Sequence, residues 1–300
     1  MRMIPGMIDE AVHWASMEIG APILRHERLT GGLTSTMLTL IDQAGTRMVL
    51  RLMTEEPWKT HGEGLTSRER AAQLELAGTT VPAPKSLSLD ARGIAVGVAA
   101  HLMTHRPGTP DEAPDEPKLT AMAEMLARIH DVQPREPFRT YQSWAPPAKW
   151  VVPEWTKHPN AWRRAFAVLQ EGPPEHEPVF IHRDFSHRNL LWRGTEISGV
   201  VDWVETSHGP AWLDAAHAAT NLALALGVEG ANSLLKAYGA LTESRLEPYW
   251  LVLDAVGFLP VPGRSPLFVS EHQRAILDGW LYQVMTANYP TVNRSGLSHE

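Results

Sequence analysis

His182-Arg183-Asp184-Phe185-Ser186-His187-Arg188-Asn189-Leu190-Leu191-Trp192-Arg193-Gly194-Thr195-Glu196-Ile197-Ser198-Gly199-Val200-Val201-Asp202-Trp203 is the stretch on which the reading of this chain turns. Leu190–Trp192 and Ile197–Val201 are short apolar runs joined by a glycine-containing turn, a spacing that predicts an antiparallel hairpin. A hairpin returns its two ends to one place, so Asn189 and Asp202 are expected side by side. Both offer oxygen donors, which Mg²⁺ prefers. Asp184 stands five residues before Asn189, on the loop feeding the same end. One carboxylate is then placed to meet a hydroxyl while an amide and a second carboxylate hold metal.

These are the parts of phosphoryl transfer, which needs positioning, cations near the phosphates and one carboxylate to orient the attacking oxygen. His182-Arg183-Asp184 with Asn189 matches the catalytic-loop pattern of the kinases. Asp202, after an apolar strand, adds a second and independent match.

Outward from this island the chain divides by composition. Before it, residues 7–19 read as a short helix, and Ile23–Leu29, Met37–Ile41 and Arg47–Met53 as three strands. A helix is expected over about Thr66–Ala77, and two more strands within 86–103 about a turn at Arg92-Gly93. Arg106–Lys118, with Pro107, Pro110, Pro114 and Pro117 among four acids, reads as a linker. From Leu119 onward helices dominate, at roughly 119–131, 159–170, 211–226, 228–240, 247–258 and 269–288. The expectation is an α+β chain of two lobes: a small β-rich lobe over residues 1–103 and a larger, mainly helical lobe over 104–300.

The 300 residues are 43% hydrophobic and 20% charged, the balance of a globular protein. With 0 cysteines, a disulfide framework, a zinc finger, an Fe–S cluster and a thiol nucleophile are excluded, and a reducing cytoplasm is the expected setting. The formal charge of −7 and the lack of a basic stripe argue against a nucleic-acid partner. Met1–Gly20 carries Asp9, Glu10 and Glu18 without an apolar run, unlike a secretory leader, and no stretch approaches the roughly 18 apolar residues of a membrane span.

From His182 to Asp214 the chain resembles the aminoglycoside phosphotransferase family, the small-molecule relatives of the protein kinases. Such proteins carry a His-x-Asp-x-x-x-x-Asn loop, then Asp-Trp, a Gly-Pro turn and a helix aspartate; here these are Asp202-Trp203, Gly209-Pro210 and Asp214. The resemblance implies a protein-kinase-like bilobal fold, Asp184 as catalytic base with His182 in its loop, Asn189 and Asp202 on Mg²⁺, and Asp214 bracing the loop. It also directs attention to the amino-terminal half, where such a lobe needs a phosphate loop, a strand cation and a helix acid. The loop candidate is Thr30, Gly31, Gly32, Thr34 and Ser35. The strand cation is Arg51, on the face of Val49 and Met53, and its helix partner is Glu69. Arginine stands where kinases usually place lysine, and it too can grip phosphate oxygens. Met103 and His105, with Leu102, fall where the family's hinge meets adenine. Arg68 and Arg70 are expected to be solvated.

The implied activity is transfer of a γ-phosphate from ATP, with GTP the alternative, to a hydroxyl of a small molecule. The acceptor is an aminoglycoside or macrolide antibiotic, or a choline-, homoserine- or sugar-like metabolite; a non-catalytic nucleotide-binding pseudokinase is the remaining alternative. Glu205 and Asp254 are the acceptor candidates. Asp254, inside Trp250–Val256, needs a partner if buried, and an internal arginine or backbone donor is favoured over a substrate amine. His187 reads as an exposed loop residue, and Trp14 and Trp280 as core. No P-loop, Rossmann or nucleophile-elbow pattern is present, and an oxygenase-type reading of His182, Asp184 and His187 leaves Asn189 and Asp202 unexplained.

Overall fold

The computed structural model describes residues 5–29, 35–261 and 270–289. The chain gathers into two compact units, each built from separate stretches. The first holds residues 1–111, 132–138 and 188–206; the second holds 112–131, 139–187 and 207–300. The expected lobe limit near 104 is drawn along the chain, whereas the predicted hairpin at residues 190–200 belongs to the first unit.

In the first unit, α1 (Pro5–Ile19) precedes β1 (Ile23–Arg28), β2 (Thr36–Asp42) and β3 (Arg47–Leu52). Then come α2 (Gly62–Leu76), β4 (Ser86–Asp90) and β5 (Ala100–Thr104). The five strands form one antiparallel sheet in the order β1-β2-β3-β5-β4. Alternation along β3 sends Met48, Leu50 and Leu52 into a core with Ala11, Trp14 and Ala15 of α1 and with Ala100 and Leu102 of β5. Arg51 and Met53 fall on the opposite face, where Met53 packs with Leu65 of α2, Ala99 and Val204.

Two boundaries differ from expectation. Helix α2 starts at Gly62, a turn early, because this glycine lets the helix approach the sheet: a Cβ there would lie 2.9 Å from that of Ala99. Residues 91–99 form a held loop, not a two-residue turn. The Asp90 carboxylate accepts from the backbone of Ile94, Ala95 and Val96 at 2.8–3.0 Å, while Val96 and Val98 enter the α1 core.

Helices fill the second unit: α3 (Glu116–His130), α4 (Pro159–Gln170), α5 (Ala211–Leu226), α6 (Val228–Thr242), α7 (Pro248–Gly257) and α8 (Glu271–Asn288). Asp115 caps α3 through Lys118 N, and Ser270 caps α8 through Gln273 N. Alanine-rich α5 is buried from Trp212 to Leu224, and its small side chains let α3, α6, α7 and α8 pack around it. Strand β6 (Val179–Ile181) pairs with a short strand at Ser207–Gly209. Trp250 and Trp280, like Trp14 in the first unit, are core residues, and Trp212 is buried as well. Among the described residues no helix is long and apolar enough to cross a membrane.

Candidate functional site

The hairpin forms as its sequence predicts. Strand β7 (Leu190–Arg193) pairs with β8 (Glu196–Val200), and Val201 N donates to Asn189 O at 3.0 Å. Asp202 therefore follows directly on a residue bonded to Asn189. Asp202 adopts φ 69°, ψ 58°, a left-handed conformation that aspartate tolerates better than most residues.

Arg51 engages the side chain of this aspartate. Its guanidinium reaches Asp202 Oδ1 at 3.1 Å, Glu69 Oε1 and Oε2 at 3.1 and 3.0 Å, and Ser35 Oγ at 3.3 Å. Arg51 is 4% exposed and Glu69 is fully buried. Burial works against both charges. Asp202 and Glu69 outweigh it for Arg51 and hold the guanidinium above its usual value. Arg51 and His101 outweigh it for Glu69, whose pKa is pushed down to about 2. Glu69 is placed by the α2 stripe Leu65, Glu69, Ala72 and Leu76, which presents one buried face.

His101, which sequence reasoning passed over, completes this cluster. Its Nδ1 lies 2.9 Å from Glu69 Oε2 and its Nε2 lies 2.9 Å from Ser86 Oγ. It sits opposite Arg51 in the β3–β5 register, so it shares that face of the sheet. Its strand position was the available signal.

The other nucleotide candidates fare differently. Thr30, Gly31, Gly32 and Thr34 lie outside the described residues. Met103 is buried and its sulfur accepts from Gln73 Nε2 at 3.5 Å. His105 is half-buried, and its N donates to Arg47 O in a long 3.4 Å bond. Leu102 is corrected: its side chain lies in the α1 core, on the face away from Arg51. Arg68 and Arg70 are also corrected, for both are half-buried; Arg68 Nε donates to Val204 O at 3.0 Å and Arg70 reaches Ser86 Oγ at 3.4 Å. Glu205 is half-buried in the turn Trp203–Glu205.

In the second unit Asp184 anchors a different constellation. Its loop is braced by Asp214, in the first turn of α5, whose carboxylate accepts from His182 N at 2.8 Å and Arg183 N at 2.7 Å. His130 Nε2 supports the same carboxylate at 3.3 Å, and its Nδ1 meets Tyr238 Oη at 2.7 Å. Burial would raise the Asp214 pKa, but these donors hold it below the usual carboxylate range. Arg183 takes φ 73°, stacks its guanidinium 3.6 Å over Trp144, and donates to Gln142 O. His182 is buried, and its Nδ1 accepts from Asp184 N at 3.2 Å.

Asp184 itself has a side chain 33% exposed, open enough to meet a solute. Its Oδ1 lies 2.9 Å from His217 Nε2, and His217 Nδ1 lies 2.9 Å from Asp254 Oδ1. Asp254 is thus partnered by a histidine, not by an arginine or a backbone donor. His187 is likewise corrected: it is fully buried on the short turn His187–Asn189, with Nε2 3.9 Å from Glu112 Oε2. Its expected exposure fails because that turn tucks the ring inward. His176 is exposed and edges onto Trp250.

The residues present fit Mg²⁺ by donor chemistry: an amide oxygen at Asn189 and a carboxylate at Asp202, adjacent at the hairpin's open end. Among the described residues no three His, Asp or Glu side chains gather as a metal cluster.

Comparison with known proteins identifies the family and the fold. Residues 25–249 match the model described as the phosphotransferase enzyme family, APH. The crystal structure of aminoglycoside phosphotransferase APH(4)-Ia superposes with a TM-score of 0.67 at 15% identity, covering 94% of this chain and 99% of that one. A putative aminoglycoside phosphotransferase from Ralstonia eutropha gives 0.64 at 16%, over 92% and 98%. Amicoumacin kinase hAmiN, in complex with AMP-PNP and Ca²⁺, gives 0.55 at 14%, over 95% and 97%. Comparison with curated sequences returned no match. Three quarters of the chain thus falls under one family model, and its α+β architecture is that of the structures above: it belongs to the APH family of phosphotransferase enzymes and has their kinase-like fold.

Proposed function

We propose that this phosphotransferase moves the γ-phosphate of ATP to a hydroxyl of a small molecule, with Asp184 as the base and Asn189 and Asp202 holding Mg²⁺. The observation that carries the reading is Arg51, which grips Glu69 of α2 and Asp202 at the hairpin's end through one guanidinium. A cation so shared serves a site where phosphate charge must be balanced. The ATP-analogue complex of the amicoumacin kinase adds support for the nucleotide.

Asp184 accepts the hydroxyl proton and aims the oxygen, while Asp214 keeps the loop backbone fixed beneath it. Arg51 contributes positive charge that no pH change in the working range removes. Mg²⁺, when bound by Asn189 and Asp202, supplies further neutralisation of phosphate charge. The absence of cysteine suits work in a reducing cytoplasm.

A phosphate-transfer screen with Mg²⁺ and either ATP or GTP tests this, over aminoglycosides, macrolides and choline-, homoserine- and sugar-like acceptors. At least one hydroxylated compound is expected to be phosphorylated, which also separates a resistance role from a metabolic one. Asp184→Ala should cut turnover by about 10²–10⁴-fold while keeping the nucleotide-induced thermal shift. Total inactivity with no nucleotide-induced shift would sink the reading.

A further inference from the structure

Asp214 braces the backbone of the Asp184 loop, and His217 reaches the Asp184 carboxylate itself. In the second unit Asp254 Oδ1, the His217 ring and Asp184 Oδ1 form one chain, with 2.9 Å at each junction. Both ring nitrogens face a carboxylate oxygen. A neutral imidazole has one N–H and one lone pair, so one of its two junctions would set lone pair against lone pair. An imidazolium donates at both. Asn221 Nδ2 also lies 3.1 Å from Nε2 and donates to His217 O at 3.0 Å with one of its two N–H groups; Asp184 Oδ1, at 2.9 Å, is the shorter contact and the charged acceptor for an Nε2–H.

The surroundings suit a cation. Phe258 stacks on the imidazole at 5.8 Å between centroids and 16° between planes, and Trp144 meets it at 5.2 Å and 80°. Both lie within the roughly 6 Å over which aromatic rings attract a cation. Other charges act on the acids: Arg183 on Asp184, and Lys149, which donates to Gly257 O, on Asp254.

We propose that His217 is a positioning residue for phosphoryl transfer, an imidazolium anchored by Asp254 that orients the Asp184 carboxylate through its Nε2–H. This rests on the reading of Asp184 as base. Burial opposes charge on His217, yet Asp254 and Asp184 overcome it and push its pKa up to about 9. Burial would likewise raise Asp184, but the hydrogen bond from His217 holds it below the usual carboxylate range. Asp184 is thereby kept ionised and aimed, and it loses its donor only in alkaline solution.

Two readouts test this on the full chain. The first is ¹H–¹⁵N NMR titration of the His217 ring, which needs no turnover. A midpoint near 9 is expected, falling by about one unit or more in Asp254→Asn, because removing the anion removes much of what favours the cation. The second is the pH profile of Mg²⁺-dependent turnover, with an accepted hydroxyl compound or with water. An alkaline limb near the same pH should move to lower pH in Asp254→Asn and vanish in His217→Gln, whose amide still donates towards Asp184. His217→Asn, too short to reach, should lose about 10²-fold in kcat with the KM for ATP unchanged. Titration of His217 at its ordinary value, an alkaline limb unmoved by Asp254→Asn, or His217→Asn as active as His217→Gln would overturn the proposal. A protein that neither shifts with nucleotide nor turns over fails as an ATP phosphotransferase whatever the NMR shows, so the two failures are told apart.

Discussion

Arginine at position 51 does work that a lysine could not. Its fork engages Glu69 through Nε and Nη2, turns Nη2 to Asp202 as well and keeps Nη1 for Ser35; an ammonium is a point charge with three donors. Glu69 in turn serves both Arg51 and His101. Removing one partner of a buried pair strands the other, so Glu69→Ala is expected to cost about 3 kcal/mol, the low end for such pairs because Arg51 keeps Asp202. A urea denaturation midpoint, compared with that of Arg51→Lys, checks this; Arg51→Lys should lose less. Arg51 and Glu69 were singled out through the family resemblance, which asks for a strand cation and a helix acid at those points, and the two side chains do pair. His101 was not, since its meaning arises from pairing opposite Arg51 across strands remote in sequence.

Helix α5 shows the same division at the level of an element. Asp214, His217 and Asn221 stand three and then four residues apart, one polar line along a helix otherwise made of small and apolar side chains. Asp214 was readable from the loop motif. The line as a whole was a usable signal for His217, but its partner Asp254 lies on α7, and only packing brings α7 against α5. The hairpin was fully legible because adjacent strands and a glycine turn specify each other locally. The early start of α2 was hidden because Gly62 and Gly64 look like loop residues until Ala99 is seen against Gly62. For α5 the expected cost of disruption follows from its first turn. Asp214→Ala would leave the buried N–H groups of His182 and Arg183 without acceptors, at about 1–3 kcal/mol each. Arg183 holds φ 73° only while that grip lasts, so turnover should fall along with the thermal midpoint. Asp214→Ala with wild-type turnover would refute the bracing role.

Across the whole molecule the shifted groups set a pH window for stability. Glu69 titrates at about 2 against an ordinary 4.5, so its contribution is present above about pH 4.5 and is lost as pH falls through 2. Asp184 and Asp214 are lowered in the same direction and reinforce the acid loss. His217 is shifted the other way, from 6.5 to about 9, so its contribution is full below pH 6.5 and is lost as pH rises through 9. Each of the two large shifts is on the order of 3 kcal/mol at buried sites. The urea midpoint should therefore be highest between about pH 5 and 7 and decline on both sides. His217→Gln should abolish the alkaline decline and spare the acid one, because the charges that shift Glu69 are those of Arg51 and His101. A wild-type midpoint that stays flat from about pH 7 to 10 would mean that His217 carries no proton in the folded chain, and the charged Asp254–His217–Asp184 line would have to be abandoned.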